Sequence, residues 1–240
     1  DVEGWVTLNV PEKYIMCFDP MTGKRGIAKT REVEGKTQVY MQLKSGESII
    51  LQTFTRSLQG EPEWKYRKEM DYSLSLDHGW KLRFVESYPA IEGEFKIDTP
   101  SSWTEVAHPA AKINRGTALY SLELDLPELS ADDWVLDLGD VRESARVRIN
   151  GQEAGVAWAA PFRLSIGQLL KSGKNLIEVE VTNLPVNSIA EMDRQGKQWR
   201  IFEDINMAKL NYEKGTYGHW ETLPSGLNGI VRLIPVKYLF

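Results

Sequence analysis

Ala145-Arg146-Val147-Arg148-Ile149-Asn150-Gly151 puts three apolar side chains at alternate positions and two arginines between them, then ends in Asn-Gly. Successive side chains of an extended chain point to opposite faces, so this spacing predicts a strand buried on one side and wet on the other. Asn-Gly accepts the positive φ of a tight reversal, so the strand is expected to fold back as a hairpin. Asn150 is therefore read as a turn residue and not as a ligand.

The same period of two runs outward in both directions. Downstream, Ile177, Val179 and Val181 alternate with Glu178 and Glu180 after the turn Lys171-Ser172-Gly173-Lys174-Asn175. Upstream, Tyr120, Leu122, Leu124 and Leu126, then Phe95 and Ile97, then Leu82 and Phe84 repeat it. Only Ile166 to Leu170 reads as a helical turn, and Ile230 to Ile234 reads as a closing strand. Many short strands punctuated by Gly, Pro and Asn predict an all-β fold of two packed antiparallel sheets, a sandwich or jelly roll. Trp80, Trp103 and Trp134 sit at strand starts and are expected in the core or at a sheet edge.

The first sixty residues predict a small antiparallel β unit. Val39, Met41 and Leu43 lead through the turn Lys44-Ser45-Gly46-Glu47 to Ile49, Leu51 and Thr53, while Asp19-Pro20-Met21-Thr22-Gly23 makes an earlier turn. Sixty residues bury only a modest core, so the unit is expected to lean on a neighbour. A polar stretch from Ser57 to Asp71 marks the boundary. The expected division is an accessory unit over 1–60 and the sandwich over 61–240.

Composition narrows the function. The 240 residues are 42% hydrophobic and 26% charged, an ordinary globular balance. No run reaches the roughly 18 to 20 apolar residues of a helical membrane span. A (β/α)₈ barrel needs about 250 residues of alternating strand and helix, and helical periodicity is almost absent here. Residues 1–60 carry 8 basic and 7 acidic side chains against 21 and 27 in the remainder, a balance of +1 and −6 within the total of −5. Basic residues alternate with acids, as from Lys65 to Glu69, so no nucleic-acid partner is expected. The single Cys17 excludes an internal disulfide and a multi-thiolate zinc site.

Several motifs of chemistry are missing. His78, His108 and His219 stand far apart with no paired spacing, so no transition metal and no cofactor are expected. Structural calcium stays open, because loop carbonyls and single carboxylates bind it without a readable motif. There is no phosphate-cradling loop, dinucleotide fingerprint or serine nucleophile elbow. Glycoside hydrolysis needs two carboxylates about 5 to 9.5 Å apart, which sequence spacing does not reveal. Glu203, Asp204 and Glu221 are the acids that a catalytic reading would use.

From Pro185 to Pro224 the alternation fails, and about forty residues read as an irregular excursion, a kind of segment that is often functional. Its aromatic content is high: Trp199, Tyr212, Tyr217 and Trp220 lie there with Arg194, Arg200 and His219. Sugars offer C–H faces that pack on aromatic rings and hydroxyls that bond to charged or amide groups. The candidate carbohydrate-binding residues are Arg194, Trp199, Tyr217, His219 and Trp220, with Trp158 on the loop that leaves the Asn150-Gly151 hairpin. The competing reading makes these rings glue between loops and sheets.

Trp134 to Val141, then Ala145 to Gly151 and Gly155, Pro161-Phe162 and Val179-Glu180-Val181-Thr182-Asn183 together resemble the galactose-binding-like jelly roll of large glycoside hydrolases. Arg115 to Tyr120 and Pro224-Ser225-Gly226-Leu227-Asn228-Gly229 look like the C-terminal region of family 106-type α-L-rhamnosidases. Cys17 to Gly23 and Leu43 to Glu47 resemble the β segment before that jelly roll. After Asn183 such proteins continue with an Asn-Arg pair and an acidic turn, whereas here Asn187-Ser188 opens a long insert. The resemblance implies a non-catalytic accessory region whose catalytic barrel lies N-terminal to Asp1. That missing domain and an oligosaccharide or polysaccharide are then the expected partners, in a secreted or periplasmic setting. A stand-alone carbohydrate-binding module is the alternative, and a small β-sandwich hydrolase or lyase a weaker one.

Overall fold

The computed structural model describes residues 1–127, 130–200 and 215–240. The first strands are Val2–Thr7 (β1), Tyr14–Phe18 (β2), Arg25–Ile27 (β3), Thr30–Val33 (β4), Lys36–Leu43 (β5) and Ile50–Phe54 (β6). They make two three-stranded antiparallel sheets, ordered β1-β5-β4 and β3-β2-β6. Ile15, Cys17, Ala28, Val39 and Met41 form the buried cluster of this part. Burial pushes the Cys17 thiol up to about 12, so it stays a protonated apolar filler.

Next come Tyr66–Glu69 (β7), Leu74–Ser75 (β8), Trp80–Tyr88 (β9), Glu94–Ile97 (β10), Arg115–Leu126 (β11) and Asp133–Asp137 (β12). Val141–Arg142 (β13), Ser144–Ile149 (β14), Gln152–Ala157 (β15) and Arg163–Ser165 (β16) follow. Gly173–Thr182 (β17), the helix Val186–Arg194 (α1), Gly226–Leu227 (β18) and Arg232–Leu239 (β19) complete the order. A six-stranded sheet, β10-β9-β11-β17-β14-β15, faces a five-stranded one, β16-β12-β19-β7 with β8 also on β19. Their inner faces share one core, in which Ala145, Val147 and Ile149 of β14 meet Leu136 and Leu233 of the other sheet. The protein is an all-β sandwich, as the alternation predicts. Trp80, Trp103 and Trp134 are all buried in it.

The Asn150-Gly151 reversal joins β14 to β15, and Asn150 has φ of 54°. Its amide does more than turn. Nδ2 donates to the Leu169 carbonyl and to Asn175 Oδ1, both at 2.9 Å, while Oδ1 accepts the Leu176 amide at 3.0 Å. One side chain thus ties the hairpin to the Lys171–Asn175 turn.

Two elements differ from the sequence reading. Pro185 to Pro224 begins with α1, which periodicity misses because its buried positions are Asn187, Ser188 and Ala190, two of them polar. The polar stretch 57–71 also contains β7 and a segment packed on the first sixty residues, where Ile27 and Trp64 bond through their backbones. Gln42 extends the contact by copying a strand pairing with its side chain: Nε2 donates to the Arg67 carbonyl and Oε1 accepts the Arg67 amide, each at 2.9 Å. Glu69 bridges Lys44 at 3.2 Å and Arg163 at 2.9 Å.

Tyr66 sits at the centre of this junction. Its buried hydroxyl donates to the Tyr40 carbonyl and accepts the Lys29 amide, both at 3.0 Å, and its ring packs edge-on against Tyr40 and Phe240. The bond to Tyr40 needs the neutral phenol, and burial pushes the hydroxyl from 10.0 up to about 12 against the opposing pull of the Lys29 amide. The unfolded chain therefore ionises first, and this contribution to stability, complete below pH 10, is lost as pH rises through about 12. Tyr66→Phe should lower stability by about 1–3 kcal/mol at neutral pH in urea titrations. It should also flatten the alkaline loss of stability between pH 10 and 12. An unchanged alkaline slope would contradict the assignment.

Candidate functional site

The excursion after β17 is tied down at four places. Asn183 Oδ1 accepts the Gly116 amide at 3.0 Å, and its Nδ2 donates to the Asn114 carbonyl at 3.0 Å and to Ser225 Oγ at 3.1 Å. In the first turn of the helix, Asn187 Nδ2 donates to the Leu223 carbonyl at 2.8 Å and Oδ1 accepts the Leu223 amide at 2.9 Å. Arg115 reaches Ser188 Oγ at 3.0 Å while stacking over Tyr88. At the helix end, Arg194 Nη1 donates to the carbonyls of Gly218 at 3.1 Å and Trp220 at 3.4 Å. Such polar pairs fix the outgoing and returning chains against each other.

An aromatic group stands on this base. Tyr217 and Trp220 have ring centroids 4.5 Å apart at 46°, and Trp199 lies 5.7 Å from Tyr217 at 48°. Arg200 covers Trp199 and Tyr217 at 5.0 and 5.3 Å from their ring centres. Asp193, on the last turn of α1, accepts the Trp199 indole N–H at 2.6 Å and also the Tyr217 amide. Trp220 keeps 40% of its surface exposed, and the neighbouring His219 is exposed too.

The structure therefore brings Arg194, Trp199, Tyr217 and Trp220 into one cluster, with His219 in the same turn. Trp158 stands elsewhere, 58% exposed on the loop after β15. That loop is backed by the small β unit, since a side chain at Gly46 would run into the Ala160 carbonyl. Glu203, Asp204 and Tyr212 lie outside the described residues, and Glu221 is an exposed loop acid. Sequence reasoning misses Asp193 and Asn187, because a single Asp or Asn in an irregular stretch carries no pattern. Only the folded chain shows what they hold.

The electrostatics of the cluster are those of anchoring. The Trp199 indole and then the Tyr217 amide hold the Asp193 carboxyl below its usual range, and Arg194 followed by Gln195 does the same for Glu191. Among the described residues the other carboxylates whose pKa moves, Glu69, Asp77 and Asp132, also move down. Among the described residues no group of three His, Cys, Asp or Glu side chains converges as a metal site would require.

No family model matches the chain. A solved structure, "Structure of Rhamnosidase from Novosphingobium sp. PP1Y", matches 97% of it with a TM-score of 0.72 and 25% identity. A curated protein of Formosa agariphila, named "Putative beta-glucuronidase", is 29% identical over 197 residues, 74% of this chain. The chain is similar to a β region within these longer proteins. It spans 22% of that rhamnosidase chain and 17% of the Formosa protein. The rhamnosidase match runs through the small β unit as well as the sandwich, whose combination is thus shared.

The Asp193 contacts can be tested by acid. With its folded pKa lowered from 3.8, the carboxylate bonds to Trp199 and Tyr217 are complete above that value and are lost as pH falls through the lowered one. Tryptophan emission should shift to the red over that acid window in the wild-type chain. Asp193→Asn should show the shifted spectrum already at neutral pH, and identical pH profiles for the two would contradict the contact.

Proposed function

We propose that this chain is a non-catalytic accessory region of a glycoside hydrolase that supports a catalytic domain and contacts glycan. Residues 1–60 act as a β buttress, and residues 61–240 act as a galactose-binding-like jelly roll carrying the excursion. Glycan contact falls to Arg194, Trp199, Tyr217, His219 and Trp220, with Trp158 as a separate contact. The catalytic partner is an N-terminal domain of a longer chain, and the setting is secreted or periplasmic. Neither a nucleic acid nor a membrane enters this reading.

The observation that carries it is the Tyr217–Trp220 pair, 4.5 Å between centroids and partly open to solvent. Exposed rings fixed from behind by Asp193 and Arg194 meet the C–H face of a sugar with little ordering cost. The match to a rhamnosidase over nearly the whole chain supports the hydrolase context. The same exposed Trp220 favours a second reading, in which the region binds glycan as a stand-alone module.

Titration with rhamnose-containing and other plant oligosaccharides should give a saturable change in tryptophan emission with no release of free sugar. Trp220→Ala should weaken binding by about 1–3 kcal/mol, as loss of a stacking or hot-spot ring does, at unchanged melting temperature. Hydrolysis of aryl glycosides at enzyme-like rates would overturn the non-catalytic reading. A flat response across the panel would remove glycan contact and leave a scaffold.

A further inference from the structure

The outer face of the six-stranded sheet is not uniformly flat. Register places Glu86, Thr117, Thr182 and Ser144 in one row across four strands, with Glu180 opposite Arg146 in the next. Between Thr117 and Ala118 the register of β11 against β9 slips by one residue. A bulge of this kind increases local twist and bends the strand. A recess of about 320 Å³ lies here, walled by those six side chains. Its volume falls at the low end of small-ligand clefts, about 300–1,000 Å³.

The polar groups in the recess are only partly used. The Thr117 and Thr182 hydroxyls bond each other at 2.8 Å, and Glu180 is held by Arg148 at 2.9 Å, which leaves lone pairs and one carboxylate oxygen unspent. Among the described residues, the side chains of Arg146 and Glu86 make no hydrogen bond or ion pair. Val85, 49% exposed, and Val156 add apolar surface to the same recess.

We propose that this recess is a second saccharide site, for a neutral mono- or disaccharide lying across the strands. Hydroxyl groups of the sugar bond to Arg146, Glu86 and the Thr117–Thr182–Ser144 floor, and its C–H faces meet Val85 and Val156. The ligand is neutral because the two free charges are opposite in sign and Glu180 is already matched by Arg148. The site shares no residue of the excursion cluster and does not rest on the reading of that cluster.

The test is an amide NMR titration of the full chain with cellobiose, lactose and a rhamnosyl-glucose disaccharide at millimolar concentration. At least one should give saturable shifts at Glu86, Thr117, Ser144 and Thr182. Arg146→Ala, which removes a side chain that bonds to no other, should weaken that binding about tenfold, or about 1.4 kcal/mol, with the melting temperature kept. Trp220→Ala should leave it unchanged, which separates this site from the excursion. Still amides in the row with all three sugars, shifts confined to 186–224, or equal affinity in Arg146→Ala and Glu86→Gln would each overturn the proposal.

Discussion

The side chain of Asn183 holds together three segments that are distant in sequence. Its carbonyl oxygen takes the Gly116 amide at the start of β11, and its amide nitrogen reaches Asn114 and Ser225. Each such bond contributes only about 0.5–1.5 kcal/mol net. Its importance is geometric, because the excursion leaves the sandwich at Asn183 and returns at Ser225. Gly116, with φ of 145°, lies against the Glu86 carbonyl with no room for a Cβ. Gly226, with φ of 94°, lies against the buried Tyr120 hydroxyl. Only glycine meets both demands at these positions.

From that anchor the excursion is built outward. Asn187 clamps Leu223, Arg194 caps the returning Gly218 and Trp220 carbonyls, and Asp193 fixes Trp199 and Tyr217. Each step uses a polar side chain of α1, and Asn187 is buried where a packing helix would place leucine. The helix serves as a peg for a loop and contributes little to the apolar core. Beneath it the sandwich supplies rigidity, and the small β unit supports the far side through Tyr66, Gln42 and Glu69. A site held on such a frame keeps its rings in place before any ligand arrives.

Much of the fold is legible in the sequence because burial on one face of a sheet enforces alternation. Val147 and Ile149, Val179 and Val181, and Leu82 and Phe84 all face the core as their spacing requires. The Asn150-Gly151 turn is legible for a backbone reason, but its network to Leu169, Asn175 and Leu176 is not. Helix α1 is hidden because its inward face is Asn187, Ser188 and Ala190. The aromatic residues of the excursion stand out by composition, and the folded chain joins four of the six named candidates in one cluster. It separates Trp158, because strand order, which local sequence does not encode, places that residue at the edge of the six-stranded sheet. The outer-face recess is equally hidden: Thr117, Ser144, Arg146 and Thr182 look like ordinary wet positions until register aligns them.

We propose the excursion as a pre-built surface for glycan on a non-catalytic sandwich. Hydrogen exchange of the chain with and without a rhamnose-containing oligosaccharide tests it most directly. The account predicts slowed exchange in peptides covering 186–200 and 215–224, with the strands of the small β unit unchanged and the sugar recovered intact. Exchange in those peptides that is indifferent to every sugar, or recovery of cleaved sugar, would contradict it.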